Sequence, residues 1–213
     1  MKAHHRLTSR RLQVAALTAF AASASPQLRG QGTVNFSNAG IANSFVYDDR
    51  FGTEVKAPVG TTFSVALYWS PQVAGVSTPP DPSTFQQVGL TGHISTFPGE
   101  YFVGVVTIAG INPPGGLAWF QVKAWETACG STYEQAYNRG ETALGTSSVI
   151  EIRTGDPTTG GSPAWLTGIG SIHILGPLGP PFGDPCVPEP SPIVLGLLGA
   201  IVVFGFSRHK RSG

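Results

Sequence analysis

The chain has 213 residues, with 13 Lys and Arg residues against 12 Asp and Glu residues. Four of the basic residues lie in the first 24 positions and three in the last 27, so the stretch between them carries six basic and 11 acidic residues, a net charge of −5. An acidic domain without a basic stripe is not expected to bind nucleic acid. The 28 glycines and 18 prolines, with an ordinary share of aromatic residues, predict a folded domain rich in turns.

The first 24 residues have the three regions of a secretory signal peptide. Met1–Arg11 contains four Lys and Arg residues and no acidic residue. An apolar run follows over Leu12–Ala24, and it ends in Ala22-Ser23-Ala24, which matches an A-x-A cleavage site. We therefore expect export, with cleavage after Ala24 or, alternatively, nearer Gly30. The paired arginines leave open the twin-arginine route.

Short runs of alternating apolar residues dominate the stretch from residue 25 to 175, which has the length of one domain. Gly, Pro, Asn and Asp clusters separate these runs. The pattern predicts an all-β ectodomain, an antiparallel β-sandwich or jelly roll. The predicted strands cover residues 62–69, 101–109, 117–127, 148–153 and 171–175, and weaker candidates cover 33–37, 44–47 and 85–88.

Individual runs carry finer expectations. Residues 101–109 are apolar on both faces and predict a central strand, whereas 117–127 sets Phe120, Val122 and Ala124 against Gln121 and Lys123. In the two shorter strands Ile150, Ile152, Ile172 and Ile174 point inward. The one helix candidate covers residues 133–139, and the Pro/Gly-rich residues 176–186 read as a linker.

The C-terminal residues predict a membrane segment over 192–207. The uncharged run Ile193–Phe206 would rise about 21 Å as a helix, which is short for a bilayer core but sufficient once its flanking residues are added. The basic residues Arg208, Lys210 and Arg211 follow it and indicate that everything before Val187 lies outside. By length alone the run would also suit a buried core helix.

Residues 187–213 closely resemble the PEP-CTERM sorting signal of exported bacterial proteins. The shared features are a Pro-Glu-Pro motif, a short apolar helix and a terminal basic cluster, in that order. The resemblance implies recognition by a membrane-embedded exosortase, cleavage near the motif, and delivery to the cell surface or extracellular matrix. It assigns the sorting signal to Val187, Pro188, Glu189, Pro190 and Ser191.

A looser resemblance, over residues 32–38, 123–126 and 131–134, links the domain to a group of exported PEP-CTERM proteins with no defined activity. It supports the sandwich and adds no chemistry.

The two cysteines, Cys129 and Cys186, are expected to face an oxidising compartment after export, where pairing is normal. A disulfide between them would close a loop of about 57 residues and stabilise the fold by about 4 kcal/mol in the chain-entropy model. The alternative is two free thiols. A zinc site is not expected, because the spacing of the two cysteines matches no zinc motif.

No common catalytic or cofactor motif occurs, so we expect no enzyme activity and no cofactor. His93 and His173 are interpreted as surface residues. Calcium binding at Asp48, Asp49 and Glu54 is a minor alternative, because the EF-hand order is absent. The leading hypothesis is a structural, adhesive or polysaccharide-binding ectodomain on an exported protein.

Two alternatives remain. One is a polysaccharide hydrolase with a carboxylate pair drawn from Glu126, Glu134, Glu141 and Glu151. The other is a simple single-pass membrane protein in which Pro-Glu-Pro is coincidental. For polysaccharide binding, the candidates for a sugar-stacking platform are Trp69, Trp119, Trp125 and Trp165, which would otherwise fill the core.

Overall fold

A computed structural model describes residues 31–111, 113–140 and 143–176. Within these residues the fold is all-β with one short α-helix, as the alternating runs predict. Helix α1 is Tyr133–Arg139. The strands are β1 (Gln31–Ser37), β2 (Val46–Asp48), β3 (Val55–Lys56), β4 (Gly60–Pro71), β5 (Gln86–Ile94), β6 (Phe102–Ala109), β7 (Leu117–Glu126), β8 (Leu144–Thr146), β9 (Ile150–Arg153), β10 (Ala164–Trp165) and β11 (Ile172–Ile174).

Every predicted strand overlaps an observed one, and the helix covers the predicted residues. The strands that the sequence did not indicate are β3, β8 and β10, each of two or three residues. Such short strands are held by their neighbours and leave almost no periodicity to detect.

The strands form three sheets. One sheet has the order β5-β4-β7-β8, with β9 also pairing β7; the others have the orders β10-β1-β6 and β11-β2-β3. Most pairs are antiparallel, but β1 with β10 and β11 with β2 are parallel. The predicted antiparallel pairing therefore holds for most of the strand pairs, and these two pairs depart from it.

The main core lies between the sheet containing β4 and β7 and the sheet containing β1 and β6. Phe63, Val65 and Leu67 of β4 belong to one buried cluster with Val34 and Phe36 of β1, as do residues of β6, β7 and β11. The inward positions predicted for the isoleucines of β9 and β11 are confirmed, since all four are in or against this core.

Both faces of β7 are buried, which differs from the predicted alternation. Gln121 and Lys123 are only 6% exposed. The reason is that helix α1 packs on this face, where Trp125, Cys129 and Ala136 form a second buried cluster with Tyr68. A polar residue in a strand is therefore not a sign of exposure here.

The prediction that 101–109 forms a central strand is wrong, because β6 lies at an edge of its three-stranded sheet. Its pairing with β1 shifts register between Phe36 and Ser37, next to Gly104, which has a φ of 106°. After this irregularity Val106 and Ile108 face the core, whereas Phe102 and Val105 are each 62% exposed. Phe102 and Val105 therefore lie on the surface of the domain and not in its core.

Several predicted features lie outside the described residues. They are the signal peptide (1–24), most of the linker (176–186), the sorting signal, the transmembrane segment (192–207), the basic cluster and Cys186. Among the described residues, no helix is both long and apolar enough to cross a membrane.

Candidate functional site

The four tryptophans occupy different environments. Trp125 is fully buried and donates from its indole nitrogen to the carbonyl oxygen of Gly130 at 2.8 Å. Trp119 is 7% exposed, and Trp69 is half-buried against the core. Trp165, in contrast, is 51% exposed. A platform made of all four rings is therefore excluded, and Trp165 and Trp69 are the two that a ligand can reach.

Strand β1 places Trp165 in a row with two other side chains. Asn35 is in register with Trp165 of β10 on one side and with Val105 of β6 on the other. Cross-strand neighbours in register project from the same face of a sheet. The outer face of this three-stranded sheet, defined by Trp165, Asn35, Val105 and Thr107, thus combines an exposed indole, an amide and a hydroxyl.

The outer face carries no charge. Strands β1, β6 and β10 contain no Asp, Glu, Lys or Arg at any position. A flat exposed aromatic ring can pack against the apolar C–H face of a sugar, while the neighbouring amide and hydroxyl can bond to sugar hydroxyls. This chemistry suits a neutral carbohydrate better than an ion.

An open groove lies where β6 ends. It has a volume of about 250 Å³, and its lining includes Trp69, Thr84, Gln86, Ala109 and Gly110. Gly110 has a φ of 93°, and a Cβ atom there would lie 3.9 Å from Trp69 Cη2. The absence of a side chain at Gly110 therefore leaves the Trp69 ring open at this rim.

The acidic residues of the hydrolase hypothesis are engaged by different partners. Glu126 Oε1 accepts from Arg50 Nη1 at 3.1 Å, and Arg50 also binds both carboxylate oxygens of Asp48, at 2.8 and 3.0 Å. The hydrogen bonding of the Arg50 guanidinium to the Asp48 carboxylate is the main reason that the pKa of Arg50 is raised. Glu151 is exposed on β9, and Glu141 lies outside the described residues.

Glu134, in the first turn of helix α1, belongs to a separate cluster between the helix and the sheet. Its Oε2 accepts from the Tyr68 hydroxyl at 2.9 Å, and its Oε1 lies 3.8 Å from Lys123 Nζ. Burial lowers the pKa of Lys123, against the attraction of Glu134. Burial also raises the pKa of Tyr68, with Glu134 adding to the effect, and raises that of Tyr133. Tyr68, Lys123 and Glu134 therefore bind one another, whereas Glu126 is bound by Arg50.

The local sequence explains why α1 forms at this place. Thr132 caps the helix by accepting from the backbone N–H of Gln135 at 3.2 Å, and Glu134 lies in the first turn. Arg139 lies in the last turn, and Gly140 ends the helix with a φ of 90°.

Two of the three residues considered for calcium, Asp48 and Asp49, are paired with other side chains, and the third, Glu54, is exposed. Asp48 is held by Arg50, and Asp49 Oδ2 lies 2.7 Å from His173 Nδ1. Among the described residues, no group of three or more His, Cys, Asp or Glu side chains is arranged to hold a metal ion. His173 is exposed as expected, and its ring stacks on Tyr47 with centroids 5.1 Å apart. His93 is half-buried, with Nδ1 3.1 Å from the carbonyl oxygen of Phe63.

Cys129 is fully buried at the end of a short 3-10 helix, Thr127–Cys129. Its sulfur lies 3.8 Å from Glu126 Oε2. Because Cys186 lies outside the described residues, the disulfide stays a prediction.

Sequence reasoning missed Asn35, Val105 and Thr107 as neighbours of Trp165. A parallel pair between β1 and the two-residue β10, more than 120 positions apart, has no local signal. The sequence does show that β6 has apolar residues on both faces, but this pattern predicted a buried central strand and not an exposed face.

Comparisons with protein-family models, curated proteins and solved structures found no match for this chain.

Proposed function

We propose that this chain is an exported surface or extracellular-matrix protein, sorted by an exosortase-type membrane enzyme through its C-terminal signal. Its ectodomain is a β-sandwich that serves a structural or adhesive role by binding polysaccharide. The mature protein has no catalytic role in this proposal and needs no cofactor.

The finer fold assignment is part of the proposal. Its support is the main core, which lies between the β4/β7 sheet and the β1/β6 sheet as expected for two packed sheets. Gly89 and Gly92 of β5 support close packing here, because a Cβ atom at either would lie within 3.0 Å of Val106 or Val103 side-chain atoms.

The observation that carries the binding role is the row formed by Trp165, Asn35 and Val105. Folded proteins expose single apolar residues routinely, but a large aromatic ring beside an amide on an uncharged sheet is a combination suited to carbohydrate.

The binding role is tested by sedimentation of the purified full-length chain with insoluble polysaccharides. Cellulose and chitin are the neutral probes, and cross-linked alginate is the acidic one. A zwitterionic detergent is needed, because a detergent with a sugar headgroup would compete. We expect binding to a neutral polysaccharide and its loss in Trp165→Ala. Phe51→Ala is the matched control, since Phe51 is 75% exposed but lies between β2 and β3. Equal binding by both variants would contradict the proposed site.

The sorting role rests on the order of motif, apolar run and basic cluster after residue 186. It is tested by intact mass and C-terminal peptide mapping of the protein from fractionated native cells. Loss of the apolar run, with protein outside the inner membrane, is the expected result. A full-length tail retained in the inner membrane would instead indicate the simple single-pass alternative.

A further inference from the structure

We propose that the carbohydrate site continues from Trp165 along strand β6 to the groove at Trp69, and that its ligand is an extended chain of neutral sugars. This inference rests on the proposed polysaccharide-binding role and specifies its ligand. It distinguishes a site for one terminal sugar from a site that follows a polymer.

A line of exposed side chains on β6 leads from the row of Trp165 towards Trp69. On the exposed side of β6, Val105, Thr107 and Ala109 follow one another at every second position, and all three are exposed. Four residues of strand span about 13 Å. Val105 lies in the row of Trp165, and Ala109 lines the groove of Trp69, so this line of side chains runs from the row of Trp165 to the rim of the groove.

At its far end the line of side chains reaches a glycine, so no side chain stands between it and the groove. Gly110 follows Ala109 directly, and it leaves Trp69 accessible at the rim. A Cβ atom at this position would already lie in contact with Trp69 Cη2, at 3.9 Å. The groove thus supplies a second aromatic surface, with Thr84 and Gln86 as polar neighbours.

The strip between the two tryptophans is uncharged. The lining residues of the groove are all uncharged, as are strands β1, β6 and β10. The stretch between the leader and the sorting signal has a net charge of −5. None of its charged residues lies in these three strands or among the lining residues of the groove. An acidic polymer would gain no cationic partner along this path and would be repelled by the domain as a whole. A neutral polymer with an apolar ring face and many hydroxyls matches both features.

The test is the dependence of affinity on ligand length. Titration calorimetry of the full-length chain, in zwitterionic detergent, would use length series of cello-oligosaccharides and chito-oligosaccharides. We expect affinity to rise with length until both tryptophans are covered, by about tenfold or more, as a second aromatic contact of about 1.4 kcal/mol would give.

Two variants separate the ends of the site. Trp165→Ala is expected to weaken short and long oligomers alike. Ala109→Arg changes an exposed residue beside the groove, so it is expected to abolish the gain with length while leaving short oligomers unaffected. Trp69→Leu should do the same, but Trp69 also packs against the core, and Ala109→Arg therefore carries the conclusion. Phe51→Ala remains the control.

The outcomes are distinguishable. Binding that depends on Trp165 but not on length, and that tolerates Ala109→Arg, would overturn the extended site and leave the proposed function standing. Absence of binding to every polysaccharide and oligosaccharide tested would overturn both. A dimer in sedimentation velocity that Trp165→Ala or Ala109→Arg dissociates would also overturn the extended site, because the strip would then be a contact between two copies of the chain.

Discussion

The ammonium group of Lys123 lies 4.1 Å from the centroid of the Tyr68 ring, in a space that helix α1 closes from above. Tyr133 of the helix contributes a second ring at 5.0 Å, and Glu134 provides the carboxylate. The helix thus attaches to the sheet through a buried cation rather than through apolar side chains alone. Attraction between the cation and the two rings compensates part of the cost of desolvating it.

This arrangement predicts opposite effects for the two charged partners. Lys123→Met preserves the volume and removes the buried charge, so we expect the free energy of unfolding to stay unchanged or rise. Glu134→Gln keeps an acceptor for the Tyr68 hydroxyl but leaves the ammonium without its carboxylate. We expect a loss of about 1 kcal/mol at most, because Glu134 is largely exposed. In the double variant this loss should disappear. Urea denaturation of the wild type, the two single variants and the double variant measures the coupling. If Glu134→Gln lowers the free energy of unfolding equally in the wild type and in Lys123→Met, the prediction is contradicted.

The same lysine predicts a pH dependence. Burial lowers the pKa of Lys123 below its ordinary value of 10.5, so the folded protein releases this proton before the unfolded chain does. Over the pH range between the two pKa values, the unfolded state binds more protons, and stability rises with pH. The stability of the wild type relative to Lys123→Met should therefore increase as the pH approaches 10.5. A constant difference across that range would contradict the prediction.

Tyr101 predicts that the free energy of unfolding falls with increasing pH, whereas Lys123 predicts that it rises. It is buried against Phe36, with ring centroids 5.1 Å apart, and its hydroxyl has no hydrogen-bond partner among the described residues. Tyr101→Phe removes this polar atom, and we expect the free energy of unfolding at neutral pH to increase by about 1 kcal/mol. Burial raises the pKa of Tyr101 above its ordinary value of 10.0. Above pH 10 the unfolded chain therefore loses the proton first, and stability falls by about 1.4 kcal/mol per pH unit for this group.

Tyr101→Phe should make that alkaline fall less steep without abolishing it, because Tyr68 has a raised pKa as well. Tyr137→Phe, which removes a hydroxyl from an exposed side chain, is the control and is expected to leave the stability at neutral pH unchanged. Urea denaturation at a series of alkaline pH values gives both slopes. A variant that is less stable than the wild type at neutral pH would show that the hydroxyl has a partner in solution.

The sequence predicted the strands well, because their periodicity is local. It also predicted helix α1, whose cap, first turn and terminal glycine are adjacent in the chain. It did not predict that α1 covers Lys123 or that Trp165 stands beside Asn35. Both depend on pairing and packing between distant segments, and neither leaves a mark on the local pattern. The candidate site is therefore a product of topology, although one of its residues, Trp165, could be named in advance.

Asn38 is a buried polar residue on which three segments depend. Its Nδ2 donates to the carbonyl oxygens of Ser44 and, at 2.9 Å, Gly99, while its Oδ1 accepts from the backbone N–H of Tyr101 at 2.7 Å. Asn38→Ala would leave these backbone groups without that partner in a buried site, and we expect a loss of about 3 kcal/mol. Asn138→Ala on the exposed surface of α1 is the matched control, with little change expected. A loss below about 1 kcal/mol by urea denaturation would indicate that water replaces the amide.

The predicted disulfide can be tested separately from the packing of Cys129. Cys129→Ser changes a fully buried position, so it would alter the core as well as remove a cross-link. Cys186→Ser lies outside the described residues and is the cleaner variant. If the two cysteines pair, Cys186→Ser should lower the free energy of unfolding by about 4 kcal/mol, as expected for a loop of about 57 residues. Treatment with a reductant should bring the wild type to the same value and leave the variant unchanged. Non-reducing peptide mapping provides the direct check, and recovery of both peptides alkylated from exported protein would establish free thiols instead.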